Sequence, residues 1–366
     1  MPLYMDVHIV PGVKAKDVAE AHRKDMLLQN EHACKCMTYW IDEERENVFC
    51  LIEAPDKEAV TTMHQRAHGL VPHKIIEVNR DLVESFLGRL HDPVNAVTTD
   101  DGLKVFSDPS FRIILLINTK DPALLRYDLG VEKANELLSN CTNVIRQTLA
   151  AYDGREVEHP GTGFIVSFTS ASKAISCALA IQQAACKECL QASALKIAIS
   201  AGEPVSTNNG LFGDTIQFAR RLCFITRDAQ IAVASVVKEL AAKDHFHKPD
   251  HDIVALTPSD EMLLELFFSK LEEHWQNPDF TVSEFCQATA MSQSQLYRKT
   301  IELTGLSPNI FLKEFRLEKA KELMSQQRYN ISQITFDAGF TSPSYFTKCF
   351  KKSYGLLPMA YLDLLH

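Results

Sequence analysis

One sequence pattern occurs twice in the last third of this chain, at a fixed offset of 50 residues, and constrains the fold more than any other feature. The first copy, SQSQLYRKTIELTGLSP, runs from Ser292 to Pro308, and the second, SPSYFTKCFKKSYGLLP, runs from Ser342 to Pro358. The repeat predicts one local fold used twice. The recurring residues are Ser292, Ser294, Gly305, Leu306 and Pro308, which return as Ser342, Ser344, Gly355, Leu356 and Pro358.

Each copy follows a shorter helix, and the joints between them, at residues 290–291 and 339–341, are too short for anything but a sharp turn. Each second helix begins with a serine cap, and Pro343 takes the first helical position of the second copy, where a missing N–H costs little. Each copy is therefore predicted to be a helix-turn-helix. The capping-box pairs that start the shorter helices are Thr281 with Glu284 and Asn330 with Gln333.

Apolar residues predict a buried side for the second helix of each copy, with Leu296 and Ile301 in the first and Phe346 and Phe350 in the second. The opposite side carries amide, hydroxyl and cationic side chains, which suit base edges in a major groove. The cations Arg298 and Lys348 suit bases or phosphates equally. The residues predicted to contact DNA are Gln293, Ser294, Gln295, Arg298, Lys299, Ser342, Ser344, Tyr345, Thr347, Lys348 and Lys351.

Charge along the chain favours a nucleic-acid partner for this stretch. The whole chain has a formal net charge of −9, yet residues 291–366 contain ten Lys and Arg against six Asp and Glu, whereas residues 260–290 contain one against seven. Between the copies, the helical pattern from Asn309 to Met324 predicts a rod of about 24 Å. Such a rod suits two reading helices held about one DNA turn, ~34 Å, apart.

With these features the stretch resembles the DNA-binding domain of AraC/XylS-type transcription regulators. The resemblance lies in AxFxxxxYFxxxFKKxxG, from Ala338 to Gly355, and in RLEKAKELM within the connecting helix. It implies a sequence-specific domain that binds a double-stranded DNA operator and acts on the transcription machinery. The alternative is an all-helical protein-interaction domain.

Length and composition bound the remainder of the chain. With 366 residues it is long enough for two to three domains. We expect a cytoplasmic protein without a membrane segment, because no apolar run approaches the ~20 residues that span a bilayer and MPLYMDVHIV lacks the features of a signal peptide. The ten cysteines are expected to be free thiols. Cys186 and Cys189 form a CxxC that suits redox chemistry or metal binding, and His245, His247 and His251 are expected to be solvated linker residues.

Residues 1–80 follow the order strand, helix, strand, strand, helix, strand, which is ferredoxin-like. Polar residues are paired along these elements at spacings that place each pair on one face. Imidazoles together with a carboxylate suit Ni, Zn, Co or Cu rather than Ca or Mg. The alternative is that the histidines are solvated or pack in the core. The pairs are Asp6 with His8, His22 with Asp25, and His64 with His68.

The same segment resembles a family of small ferredoxin-like nickel-binding proteins. The matching stretches are MDVH at 5–8, AHxxD at 21–25, YW at 39–40, FCLxEAPD at 49–56 and HxxxHG at 64–69. The resemblance implies a site for nickel or another divalent transition metal. Cys50 is equally compatible with a small buried hydrophobe. The implied first-choice ligands are His8, His22, His64 and His68, with Asp25 and Cys50 as secondary candidates.

Beyond a polar linker, strands and helices alternate again, which predicts an α/β domain. It resembles the class III nucleotide cyclase homology domain through GREVEHPGTGFIVSF, from Gly154 to Phe168, and through SAGEP and LFGDTIQFARRLC further on. Cyclase chemistry needs two carboxylates that hold Mg²⁺, and their positions fall at Asn118 and Thr162, so no catalysis is expected. The other assigned positions are Glu158, where the family has a base-contacting Lys, Gln217, where it has a catalytic Asn, and Arg221, which matches its Arg.

The sequence thus predicts a multidomain fold, α+β and all-α, with a ferredoxin-like domain at 1–90, a cyclase-like α/β domain at 108–242 and a tandem helix-turn-helix domain at 259–366. The predicted function is a sequence-specific transcription regulator that responds to metal or ligand. Cyclase-type domains pair about a two-fold axis, so the resemblance implies a homodimer, which suits repeated half-sites. The alternatives are a metal-regulated purine nucleotide cyclase with a DNA-binding output domain, and a metal-storage protein with an incidental helical tail.

Overall fold

The computed structural model describes residues 1–100, 102–158, 163–188, 195–205, 210–226, 230–246, 253–326 and 330–365, with backbone alone at 186–188 and 244–245. Some residues singled out in the sequence lie outside these ranges. Thr162 and Cys189 lie outside the described residues, as do His247 and His251.

The N-terminal domain has the predicted order of elements and forms an antiparallel sheet, β2-β3-β1-β4. Because strand residues alternate between two faces, one face packs on the two helices, with Tyr39 and Ile52 in that core. The other face, with Met5 and Leu51, is buried in a core that continues into the next domain. The elements are β1 Leu3–Ile9, α1 Ala15–Leu28, β2 Lys35–Asp42, β3 Asn47–Glu53, α2 Lys57–Ala67 and β4 Lys74–Val78.

The predicted linker after this sheet is largely folded. It contains the helix α3, Arg80–Leu87, and a short hairpin of β5, Val97–Thr98, and β6, Lys104–Val105. Phe106 stacks on Tyr39 with ring centroids 4.2 Å apart, so the segment packs back on the first domain. Composition indicated a polar connection, but these few apolar residues are enough to dock it.

The middle domain is an α/β layer around a sheet in the order β12-β11-β10-β7-β9-β8. Its first four strands, in the order β8-β9-β7-β10, repeat the arrangement of β2-β3-β1-β4 in the first domain. The helices α4 and α8 and the strand β12 had no sequence prediction. The elements are β7 Arg112–Asn118, α4 Pro122–Leu129, α5 Val131–Ala151, β8 Arg155–Glu158, β9 Gly163–Phe168, α6 Ala171–Glu188, β10 Lys196–Gly202, α7 Gly213–Ile225, β11 Ile231–Val233, α8 Ser235–Leu240 and β12 Ile253–Ala255.

The C-terminal domain is helical and contains both predicted helix-turn-helix units. The capping boxes at Thr281 and Asn330 and the serine caps of both second helices are present, which confirms the predicted helix starts. The two units are α10–α11 and α13–α14, and α12 connects them. The helices are α9 Pro258–His274, α10 Val282–Ala288, α11 Gln293–Thr304, α12 Pro308–Ser325, α13 Ile331–Asp337, α14 Pro343–Tyr354 and α15 Pro358–Leu364.

One predicted core residue of α11 is wrong. Leu296, Phe346 and Phe350 are fully buried, but Ile301 is 39% exposed. Five residues along a helix correspond to a rotation of about 140°, whereas four correspond to about 40°. The buried neighbour of Leu296 is therefore Thr300, four residues on, whose hydroxyl donates to the Leu296 carbonyl over 2.7 Å.

Arg316 connects α12 to the segment that follows α9. Its guanidinium donates to the carbonyls of Trp275 and Asn277, at 2.9 and 2.6 Å, just beyond the end of α9. The turn of the second unit approaches the same place, because Gly339, at φ +74°, lies so close that a Cβ there would be 2.1 Å from the Trp275 carbonyl oxygen. Only glycine fits this turn without displacing the backbone.

Candidate metal centre and nucleic-acid interface

Three donor atoms in the first domain form a near-equilateral triangle. His64 Nδ1 lies 3.1 Å from Asp25 Oδ1 and 3.1 Å from His68 Nε2, and the last two atoms are 3.2 Å apart. The helices α1 and α2 pack side by side. His64 lies in the last turn of α2 and His68 directly follows the helix, and both contact Asp25 of α1. Donors bound at about 2.1 Å to one ion lie roughly 3 Å apart when they are neighbours around it. The triangle therefore fits a transition-metal ion.

The other side of the His64 ring faces a second polar group. Its Nε2 lies 3.0 Å from Asp6 Oδ2, and His8 Nε2 lies 3.3 Å from Asp6 Oδ1. Asp6, His8, Cys50 and His64 together place donor atoms within 4.8 Å of one another, and all four residues are buried. Metal-ligating histidines usually donate their second N–H to a carboxylate, which fixes the ring. Asp6 is placed to do this for His64.

His8 supplies the observation that most favours a bound group here. Both of its ring nitrogens are buried: Nδ1 has no hydrogen-bond partner among the described residues, and Nε2 has only the 3.3 Å contact with Asp6. A buried polar atom without a partner costs free energy, and a metal or an ordered ligand removes that cost. The donor set of the cluster, imidazole with carboxylate and thiol, matches the borderline metals predicted from sequence.

The acidic and histidine side chains of this cluster change one another's pKa values. Burial acts to lower the pKa of His64, but Asp6 and Asp25 outweigh it and raise that pKa to about 10. Burial acts to raise the pKa of Asp25, but hydrogen bonds from His64 and His68 hold it below its ordinary value. Burial, Asp6 and Asp25 raise the pKa of the Cys50 thiol well above its ordinary value. Metal binding must therefore displace protons from this cluster.

The structure separates the predicted ligands into three sets. Asp25, His64 and His68 form the triangle, and His8 and Cys50 belong to the group around Asp6. His22 belongs to neither group: it is buried against the Tyr39 ring, with centroids 5.3 Å apart. It lines, with His8, Asp25, Cys50 and His68, a cavity of about 70 Å³ beside the triangle.

Sequence reasoning did not choose Asp6 as a ligand, although the signal was present. Asp6 stands two residues before His8 on β1, so both side chains leave the same face of the strand. The buried position of Asp6, at 1% exposure, is what the sequence did not indicate. A carboxylate is rarely buried unless it is paired or bound to a metal.

The first predicted reading helix, α11, presents most of its predicted contact residues to solvent. Gln293, Ser294 and Arg298 are exposed, and Arg298 makes no hydrogen bond or ion pair with any described residue. Two others are engaged locally. The Ser292 N–H donates to Gln295 Oε1 over 3.0 Å, and Lys299 pairs with Glu302 over 2.9 Å.

The second predicted reading helix, α14, presents a more basic face. Ser344, Tyr345, Lys348 and Lys351 are exposed, whereas Thr347 and Ser342 are half-buried. Ser342 caps the helix by accepting from the Tyr345 N–H at 3.3 Å. Across the part of α14 that the structure describes, no acidic residue offsets the lysines, including Lys352.

The predicted cyclase positions line a cleft of about 1140 Å³ between the middle and C-terminal domains. Asn118, Glu158, Gln217 and Arg221 all lie on its wall, with Thr162 outside the described residues. The opposite wall comes from α9 and α12. Arg221 forms ion pairs with Glu265 and Glu272 of α9, so its charge is committed to a contact between domains.

Two exposed helices, each preceded by a shorter helix and a sharp turn, define the class of the C-terminal domain as helix-turn-helix DNA-binding. Family models specify this further: residues 285–363 match the model described as "Helix-turn-helix domain", and residues 4–78 match the one described as "Nickel responsive protein SCO4226-like". The C-terminal part of the chain thus matches a helix-turn-helix domain model and the N-terminal part matches the SCO4226-like model, which confirms both resemblances. The cyclase resemblance of the middle domain stays a prediction.

Known relatives match single parts of the chain. "Histidine kinase P4" of Formosa agariphila is 37% identical over 108 residues, which are 30% of this chain and 8% of that protein. "Probable transcriptional regulator LumQ" of Photobacterium leiognathi is 28% identical over 102 residues, 28% of this chain and 41% of that protein. The chain therefore spans less than half of these relatives. The solved structure of SCO4226 from Streptomyces coelicolor is 31% identical and covers 21% of this chain and 94% of its own, with a TM-score of 0.20.

Among the described residues, no helix combines the length and the apolar character needed to cross a membrane. The cysteines whose side chains are described are free thiols, as predicted.

Proposed function

We propose that this chain is a transcription regulator whose affinity for operator DNA depends on a divalent transition metal, nickel or a neighbour of similar chemistry, bound in the first domain. Its parts are a sensor at 1–90, a middle domain at 108–242 and a DNA-binding domain at 259–366. The observation that carries the proposal is the triangle of Asp25, His64 and His68, because the same chain presents two exposed reading helices at its other end.

Each residue of the cluster has a separate proposed role in metal binding. Asp25, His64 and His68 would hold the ion, which would supply a positive charge there when bound. Asp6 orients the His64 ring from behind, and His8 and Cys50 remain close enough to join or to accept hydrogen bonds. A metal changes DNA affinity only if it binds two arrangements of the protein with different affinity.

The test compares metal binding and DNA binding in the same preparations. The wild-type protein should bind Ni²⁺ in calorimetry and elemental analysis, and His64→Ala should lose that binding. Asp6→Asn should weaken it about 10–100-fold, the effect typical of losing a partner behind a ligand. His91→Ala, at an exposed histidine outside the cluster, is the matched control and should bind normally.

DNA binding is read out with duplexes selected from a random-sequence pool by the wild-type protein. Adding Ni²⁺ should change the affinity of the wild type but not that of His64→Ala. Identical affinities with and without metal in the wild type would remove the sensor part of the proposal. A wild-type protein that selects no duplex, even in low salt, would remove the DNA-binding part.

A homodimer and contacts with the transcription machinery complete the proposed mode of action. Their support is the cyclase resemblance of the middle domain and the match of the C-terminal domain to transcription regulators. Sedimentation of the full chain alone and on a selected duplex would test the dimer. A single chain in both conditions would contradict it.

The alternative enzyme function has a direct assay. Incubation with ATP or GTP and Mn²⁺ should yield no cyclic nucleotide, because Asn118 offers a neutral amide where Mg²⁺ or Mn²⁺ needs a charged carboxylate oxygen. Product that disappears in Asn118→Ala would overturn this expectation.

A further inference from the structure

The middle domain holds the first helix-turn-helix unit through α7. Phe224 of α7 packs on Phe268 of α9 and on Phe311 and Phe315 of α12, with ring centroids 5.6, 5.8 and 6.0 Å apart. These residues belong to the core cluster that contains the apolar residues of the first unit. The ion pairs of Arg221 with α9 lie beside this contact and join the same two elements.

The middle domain holds the second unit through a different helix, α4. Ala123 of α4 is buried in the separate core cluster that contains Phe346 and Phe350 of α14. A half-buried carboxylate lies at its start: Asp121 accepts from the Tyr361 hydroxyl at 2.7 Å and pairs with Lys321 Nζ at 2.9 Å. Asp121 thus joins α4 at once to α12 and to α15.

Both contacts leave the predicted reading faces free. Arg298 on α11 and Lys348 on α14 are exposed while the two units are docked. The docked arrangement is therefore compatible with DNA binding and does not mask the domain. What docking restricts is the movement of one unit relative to the other, since α7 and α4 both follow strands of one sheet, β10 and β7.

We propose that the middle domain is a brace: by holding the two helix-turn-helix units through α7 and α4, it fixes their separation for two successive half-sites on DNA. The inference rests on the proposed DNA-binding function and adds to it the docking of α4, which controls whether the two units bind together. When α4 is docked, binding of one unit places the other over its half-site. When α4 is released, the second unit can move relative to the first, and placing it on its half-site costs conformational entropy. This cost weakens binding to both half-sites together but not binding to a single half-site.

Asp121→Asn is the variant that isolates this contact. Asparagine caps a helix as well as aspartate does, so the start of α4 should be kept. The charge is lost, which leaves the largely buried Lys321 with Glu318, 3.6 Å away, as its remaining acidic partner among the described residues. Asp128→Asn, on the same helix but in an exposed pair with Lys120, is the matched control.

The experiment uses the full chain and two duplexes, one selected from a random-sequence pool by the wild type and one in which a half-site of that duplex is scrambled. Asp121→Asn should lose about tenfold or more in affinity for the intact duplex and stay within about twofold on the single half-site. Asp128→Asn should match the wild type on both. An equal loss on both duplexes, an unchanged affinity or a tighter one would each overturn the brace.

Hydrogen exchange without DNA provides a separate reading. In Asp121→Asn the amides of α13 to α15 should exchange faster, while those of α10 and α11 keep the wild-type rate. Uniformly faster exchange, or none, would contradict the proposal. If the wild type selected no duplex at all, the proposed function would fail, while the exchange result would still decide whether α4 holds the second unit.

Discussion

The two helix-turn-helix units have the same local geometry but differ in what they bury and what they expose. Both second helices begin at a serine cap and end at a glycine with positive φ, Gly305 and Gly355. At the buried position four residues after the first core residue, α11 has Thr300 and α14 has Phe350. The two units thus share their backbone signals, whereas this buried position holds a small polar residue in α11 and an aromatic residue in α14.

The exposed faces diverged as well. α11 carries Arg298, together with Lys299 and its partner Glu302, whereas α14 carries Lys348, Lys351 and Lys352 without an acid. Lysines without partners suit phosphates, and amide and guanidinium groups suit base edges. We therefore expect α11 to contribute more sequence discrimination and α14 more of the salt-dependent affinity.

The largest difference should appear in stability. Phe350→Ala should lower the free energy of opening the second unit by about 3–5 kcal/mol, because it removes a buried ring. Thr300→Ala should cost the first unit about 1 kcal/mol, since its hydroxyl bonds only within its own helix. Native-state hydrogen exchange measures each unit separately. Equal costs would show that the aromatic cluster adds nothing to the second unit.

The next difference concerns DNA. Arg298→Ala should cost about 1–3 kcal/mol on the selected duplex and relax the preference at one base pair. The double variant Lys348→Ala with Lys351→Ala should weaken binding evenly across sequences and reduce the slope of log affinity against log salt by about 2. Lys57→Ala, at an exposed lysine of the first domain, is the control. A change of specificity in the lysine variant, with none in Arg298→Ala, would reverse the assignment.

The smallest difference lies in the caps. Ser342→Ala should lower the stability of α14 by about 1 kcal/mol, because it removes the hydrogen bond from the Tyr345 N–H to the serine hydroxyl. The Tyr345 side chain makes no reciprocal hydrogen bond to the backbone of residue 342 that would remain. Ser292→Ala should cost α11 less, since Gln295 still accepts from the backbone N–H of residue 292. Exchange of the amides in the first turn of each helix measures both. A larger cost at Ser292 would mean that the reciprocal pair depends on the hydroxyl.

Local sequence signals made the helices and strands predictable, whereas contacts between distant residues could not be predicted. Capping boxes and period-two strands are encoded in neighbouring residues, so the ferredoxin-like order and both helix-turn-helix units follow from the sequence. The burial of Asp6 depends on β3 and α2, which bring Cys50 and His64 to it. The meeting of Asp121 with Tyr361 joins residues 240 positions apart, which no local pattern announces.

The candidate metal site shows the same difference between local signals and long-range packing. The four-residue spacing of His64 and His68 predicted a shared helix face, and both residues enter the triangle with Asp25. His22 has an equally regular spacing to Asp25, yet its ring packs on Tyr39. Spacing states which side chains leave one face, but only the packing of α1 on α2 and the sheet determines which atoms converge.

The two-sided burial of the first sheet limits how the first domain can be used on its own. Met5, Trp40 and Leu51 face α3 and the middle domain in one continuous core. A fragment cut at residue 90 would keep the metal residues but present that apolar surface to water, where it would self-associate. A fusion of the first domain to another protein therefore has to include the middle domain, or has to replace the apolar residues on that strand face with polar ones.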